Sequence, residues 1–251
     1  VITLIVSDVH LGSKHCFADF LSCLLHKIPF DRLILNGDTI QNLNLKKLKS
    51  RHWHILGQLR EIARQRELIL IRGNHEGPAD DSCSFGPLDV LGTLLGVEMR
   101  EEFHLQARGR RYLVTHGDRF DPTVRWPLVT DAAEWCYHAT RKLHKKSARW
   151  LKQKVKKLGG VVEFVKRGTA EYARGRGFDG VIVGHTHFPD DEPIGGIHYL
   201  NSGCWIEQPC HYILATDQSV KLHEWDEHDL VPNPELLTNF AAPSLLANSS
   251  F

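Results

Sequence analysis

The chain has 251 residues, 42% hydrophobic and 24% charged, the balance of an ordinary globular protein with room for one large domain or two small ones. Its net charge of +1 offers no global field for nucleic acid or a membrane surface, and no apolar run approaches the roughly 18 residues of a membrane span. Six cysteines without C-x-x-C spacing argue against a disulfide framework and fit a reducing compartment, with the cytoplasm expected, while sixteen histidines are the one unusual count.

In chain order, five short apolar runs each end in a polar turn. TLIV leads into Ser7, Asp8, Val9 and His10, and RLIL into Asn36, Gly37 and Asp38. LILI leads into Arg72, Gly73, Asn74 and His75, YLVT into His116, Gly117 and Asp118, and GVIV into Gly184, His185, Thr186 and His187. Each reads as a buried strand followed by a turn. Helical stripes lie between the early strands, at Phe17, Phe20, Leu21, Leu24, Leu25 and Ile28 and at Ile55, Leu56, Leu59, Ile62 and Ala63. Strand–helix alternation predicts a largely parallel sheet with right-handed crossovers. After Gly184, the runs IHYLNSG, CHYILAT and VKLHEW predict an antiparallel meander. Two such halves stacked face to face make a four-layer αββα sandwich.

Residues 122–178 interrupt the strand series. They carry helical stripes at Trp135, Ala139 and Leu143 and at Trp150, Leu151, Val155 and Leu158, and from Arg141 to Arg176 about 13 Lys and Arg face two Glu. This stretch is expected to be an inserted basic helical cap within a domain of residues 1–230. Residues 231–251, punctuated by Pro and Asn, are expected to be a loosely ordered tail.

The polar turns gather Asp8, His10, Asp38, Asn74, His75, His116, His185 and His187 at the carboxyl ends of the strands, where ligands bind in open α/β sheets. Carboxylate, imidazole and carboxamide without thiolate suit Mn, Fe, Zn or Ni. Eight such groups are too many for one ion and enough for two, with Asp38 able to bridge. If the GVIV strand ran on, His185 and His187 would point to the same side. Taken singly, each turn reads as ordinary turn chemistry; five in order do not. His15, His26, His52, His54, His138 and His144 read as surface or core residues.

SDVHLG, NGDTI, RGNHEG, THGD and GHTH resemble, in order and spacing, the five blocks of the calcineurin-like metallophosphoesterases, over residues 1–225. The resemblance implies two divalent ions, with manganese expected. Asp8, His10, Asp38 and His187 would hold the first, and Asp38, Asn74, His116 and His185 the second. It gives His75 the catalytic place at the phosphate. HGDRFD, the basic insert, YLNSGCWIE and Trp53 look like the UDP-2,3-diacylglucosamine diphosphatase-like branch, which cleaves a pyrophosphate in a lipid-bearing nucleotide sugar during lipid A synthesis. That likeness implies substrate contacts at Trp53, Asp118, Asp121, Lys145, Lys146 and Arg149, and peripheral membrane contact through the cap. The chain departs from the branch at His75, where its lipid A hydrolases carry Arg. It departs again at Cys204, where related members carry Asp, and here Cys204 reads as a small buried residue. A nuclease whose cap grips a phosphate backbone is the alternative, opposed by the near-neutral charge; a non-catalytic scaffold is opposed by the intact ligand set. No obligate protein partner is expected.

Overall fold

The structure, a computed structural model, describes residues 1–42, 45–76, 87–122, 124 and 160–225. Eleven strands are described: β1 (Thr3–Val6), β2 (Arg32–Asn36), β3 (Glu67–Ile71), β4 (Met99–Arg100), β5 (Glu102–Ala107), β6 (Arg110–Thr115), β7 (Gly180–Val183), β8 (Asp190–Ile194), β9 (Ile197–Asn201), β10 (Cys210–Ala215) and β11 (Val220–Trp225). Helices α1 (Ala18–Lys27), α2 (Ser50–Gln65), α3 (Pro87–Leu95) and α4 (Val161–Gly175) complete the elements that matter here.

One sheet has the order β11-β10-β1-β2-β3-β4 and the other β5-β6-β7-β9-β8. In the first, β1 through β4 run parallel, as the strand–helix alternation predicts. The register puts Ile5 opposite both Ile34 and Ile213, and Ile34 opposite Ile69. This row of isoleucines faces Leu105, Tyr112, Val114, Ile182 and Leu200 of the second sheet and forms the core between the sheets. The alternate residues Leu4, Val6, Leu33 and Leu35 point outward. They pack against Leu21 and Leu24 of α1 and Ile55 and Leu59 of α2, the stripes legible in the sequence. On the far side, Leu113, Val181 and Tyr199 pack against Ala170 and Ala173 of α4. The result is helix, sheet, sheet, helix, the expected four layers.

Two expectations need correction. The runs after Gly184 do not form one meander. β8 and β9 pair as a hairpin in the second sheet, while β10 and β11 pair in the first. The chain crosses between the sheets at Trp205, which is fully buried; its backbone N–H donates to Asp8 O at 3.0 Å and its carbonyl accepts from Phe17 N at 2.9 Å. Second, residues 161–175 of the expected cap are α4, an outer layer of the sandwich, because Val165, Thr169, Ala170 and Ala173 form a buried stripe on the second sheet. The remaining apolar stripes of that insert and the tail 231–251 lie outside the described residues. β7 ends at Val183, so His185 and His187 lie in the turn after the GVIV strand, as the sequence reading has them, and the strand does not run on through them. No described helix is long and apolar enough to cross a membrane.

Candidate metal centre

The loops after β1, β2, β3, β6 and β7 meet at the carboxyl ends of the parallel strands. Asp8, His10, Asp38, His185 and His187 all adopt left-handed backbone, with φ of 53°, 51°, 52°, 61° and 59°. Among the other described non-glycine residues only Arg108 does so. Each such residue costs roughly 1–2 kcal/mol, and strain of this kind collects where a side chain must be aimed. Neighbouring loops hold the strained residues in place. Asp8 N donates to Gly37 O (3.1 Å), His10 N to Asp38 O (2.9 Å) and His185 N to Asp8 Oδ2 (3.0 Å).

Glycine lets these loops approach. A β-carbon on Gly184 would sit 2.5 Å from both Asp8 Oδ2 and Ser7 Oγ, and one on Gly73 would run into Asp38. Gly184→Ala is therefore expected to push the Asp8 carboxylate aside and weaken metal binding by roughly 10-fold or more, on the scale of disturbed ligand support. Metal content after dialysis, with circular dichroism as the control for folding, checks this; wild-type metal content would contradict it.

The side chains converge as follows. His187 Nε2 is 3.0 Å from Asp8 Oδ1 and 3.3 Å from His10 Nε2. His10 Nε2 is 3.8 Å from Asp38 Oδ2, as is His75 Nε2. On the other side of Asp38, His116 Nε2 is 3.4 Å from Oδ1. His185 Nδ1 is 3.0 Å from Asn74 Oδ1. Three sets of donor atoms fall within 4.8 Å of one another: Asp8, His10 and His187; His10, Asp38 and His75; Asp8, Asp38 and His116.

Asp8, His10, Asp38 and His116 are all 3% exposed or less, which makes their electrostatics severe. Burial opposes charge on Asp8, yet His187 and His116 hold its carboxyl well below the usual range. Burial likewise opposes charge on Asp38, and His116, His75 and His10 pull it well down. Burial pushes His10 down to about 3 against the attraction of Asp38, so its ring is neutral. His116 is desolvated too, but the Asp38 and Asp8 carboxylates raise it well above the ordinary value. Two buried carboxylates thus carry charge in a site where, among the described residues, imidazoles offset it.

This arrangement fits a metal. His116 donates Nδ1–H to Asn36 O at 2.8 Å, so Nε2, which faces a carboxylate oxygen, is the nitrogen that would give up its proton to a metal ion. Asp8 Oδ1 and His116 Nε2 are buried without a hydrogen bond of good geometry. Facing acceptors need a proton or a cation between them, and a divalent ion serves several at once.

Residues the sequence did not single out support the loops. Buried Glu76 accepts from four backbone N–H groups: Asp38 and Gly73 on Oε2 (2.9 Å each), Thr39 and Ile40 on Oε1 (2.7 and 3.2 Å). It ties the β2 loop to the β3 loop. Burial and the Asp38 charge push Glu76 up to about 7, and the backbone N–H groups of Ile40 and Gly73 pull the other way. Asn201 Nδ2 donates to Gly184 O (2.8 Å) and Thr186 Oγ1 (3.0 Å), fixing the turn that carries both histidines.

The expected substrate contacts fare differently. Trp53 is 44% exposed on the first turn of α2. Asp118 opens a short 3-10 turn after Gly117. Asp121 is buried, and its Oδ2 lies 2.8 Å from His185 Nε2. Lys145, Lys146 and Arg149 lie outside the described residues. His52 is a buried support whose Nδ1 accepts from Gly12 N and Lys49 N at 3.2 Å. Cys204 is buried, as expected.

Strained loops bearing carboxylate and imidazole at the ends of two facing sheets define a metal-dependent phosphoesterase. The family model for calcineurin-like phosphoesterases matches residues 3–189, and the chain belongs to that family of dinuclear metal-dependent hydrolases. No curated protein matches the sequence. Among solved structures the chain is similar to Yfce, a phosphoesterase from E. coli, at 17% identity and TM-score 0.46, over 90% of this chain and 100% of that one. It is similar to an archaeal phosphodiesterase at 14% and 0.44, over 89% and 99%. It is also similar to vacuolar protein sorting 29 from Cryptosporidium parvum at 14% and 0.45, over 89% and 95%. None of these likenesses bears on the substrate.

Proposed function

We propose that the chain hydrolyses a phosphoester or phosphoanhydride bond at two divalent ions, with manganese the expected metal. Asp8, His10, Asp38 and His187 hold one ion, and Asp38, Asn74, His116 and His185 the other. The observation that carries this reading is the pair of facing acceptor sets on the two sides of the buried Asp38 carboxylate. When bound, such a pair supplies Lewis-acid charge and an activated water for in-line displacement at phosphorus. The chain supplies the rest. His75 donates Nδ1–H to Gln41 O at 2.8 Å, which aims Nε2 into the cluster. There it is placed to hydrogen-bond a phosphoryl oxygen or to protonate a leaving oxygen. The buried, strained loops hold these groups in place before substrate arrives.

For the substrate we propose an acylated nucleotide-sugar pyrophosphate of the UDP-2,3-diacylglucosamine type, met at a membrane surface. Support comes from HGDRFD, YLNSGCWIE and the basic stretch in the sequence, and from Trp53 standing exposed on α2. Cys204 is buried, which fits a packing residue. The test is a manganese-loaded assay against this pyrophosphate, a soluble phosphodiester and single-stranded DNA. Preferential cleavage of the lipid pyrophosphate is expected. Preferential cleavage of DNA, with affinity falling steeply as salt rises, would favour the nuclease reading instead.

A further inference from the structure

We infer that Asp121 is a positioning residue, which fixes the ring of His185 so that Nδ1, and not Nε2, is the lone pair presented to the metal centre. The inference rests on the two-metal reading for its consequence but not for its geometry. Asp121 Oδ2 lies 2.8 Å from His185 Nε2 on one side of the ring, and Asn74 Oδ1 lies 3.0 Å from Nδ1 on the other. The Asp121 carboxylate can only accept when ionised, so the ring nitrogen it faces carries the hydrogen. A neutral ring then has its bare nitrogen at Nδ1, directed at a carboxamide oxygen. Two lone pairs 3.0 Å apart are what a shared cation draws together.

The geometry is enforced from both ends. Asp121 is buried, and its own N–H donates to Asp118 O at 2.9 Å, closing the 3-10 turn that follows Gly117. His185 N donates to Asp8 Oδ2 at 3.0 Å. Neither side chain is free to turn without breaking a buried contact. Two other histidines of the site are anchored on carbonyls instead, His116 on Asn36 O and His75 on Gln41 O. A carboxylate is the stronger acceptor and makes its imidazole the more basic ligand. The two ions therefore sit in unequal sites, and Asp121 supports only the one shared by Asn74, His116 and His185.

The test compares the wild type with Asp121→Asn, which keeps an acceptor oxygen, and Asp121→Ala, which removes it. In metal-free protein, 15N spectra of labelled histidine report which ring nitrogen of neutral His185 is bare. Nε2–H is expected in the wild type and in Asp121→Asn, with the preference lost in Asp121→Ala. In manganese titrations, Asp121→Ala should take up one ion as the wild type does and the other about 10–100-fold more weakly, while Asp121→Asn, which keeps the acceptor oxygen but not the charge, falls between the two. Nδ1–H in wild-type His185, or wild-type binding of both ions by Asp121→Ala, would overturn the inference. A wild type that binds no pair of ions would overturn the two-metal reading alone, since the metal-free tautomer is measured independently. If Asp121→Ala does not fold, the tautomers of the wild type and Asp121→Asn still decide.

Discussion

Asp38→Ala is expected to lose both metal ions and nearly all hydrolytic activity while keeping its fold. Imidazoles approach the Asp38 carboxylate from both sides, His10 and His75 at 3.8 Å on Oδ2 and His116 at 3.4 Å on Oδ1. Its removal leaves each ion without a shared anionic ligand. Activity should fall by roughly 10⁴-fold or more, as when a group on which a whole catalytic unit depends is deleted. The sheets should survive. The isoleucine row between them does not include Asp38, and the loss relieves repulsion with Asp8 and Glu76. Elemental analysis and far-ultraviolet circular dichroism check both halves. Two ions per chain in the variant would reject the bridging role.

His75→Ala is expected to separate chemistry from metal binding. His75 reaches toward Asp38 from the β3 loop, 25% exposed where His116 is 1%, so it borders the open side of the site. The variant should retain its metals and lose about 10²–10⁴-fold in kcat on a substrate whose leaving oxygen needs a proton, the usual contribution of a placed acid–base group. With p-nitrophenolate as leaving group the loss should shrink, because that group departs without a proton. Wild-type turnover of the pyrophosphate substrate, or loss of metal, would contradict the assignment. The second outcome has a specific meaning, since His75 Nε2 lies close enough to His10 and Asp38 to be a ligand itself.

The central strands were legible because they are buried on both faces. TLIV, RLIL, LILI and GVIV are unbroken apolar runs, the pattern of parallel strands covered by helices on one side and a second sheet on the other. The edge strands were not. β8 reads DDEPI, with two Asp, a Glu and a Pro, because an exposed edge is protected by charge and by residues that cannot pair further. β4 has two residues, too few to leave a period. The change of sheet after β9 was hidden for another reason: antiparallel pairing looks the same in sequence whichever sheet receives it. At the site, the ligand types stood out as polar residues at strand ends. Their backbone strain did not, since nothing in Asp8 or His187 as a letter announces a φ near +55°. Glu76 and Asp121 were missed in their roles because their partners, 37 and 64 residues away, meet them only in the fold.

The most direct measurement is anomalous diffraction at the manganese edge from crystals of the full chain grown with Mn²⁺. The two-metal reading predicts two peaks about 3.5–4 Å apart. Asp38 should lie between them, with His10 and His187 on one and His116 and His185, through Nδ1, on the other. A single peak, or a pair that does not share Asp38, would contradict it.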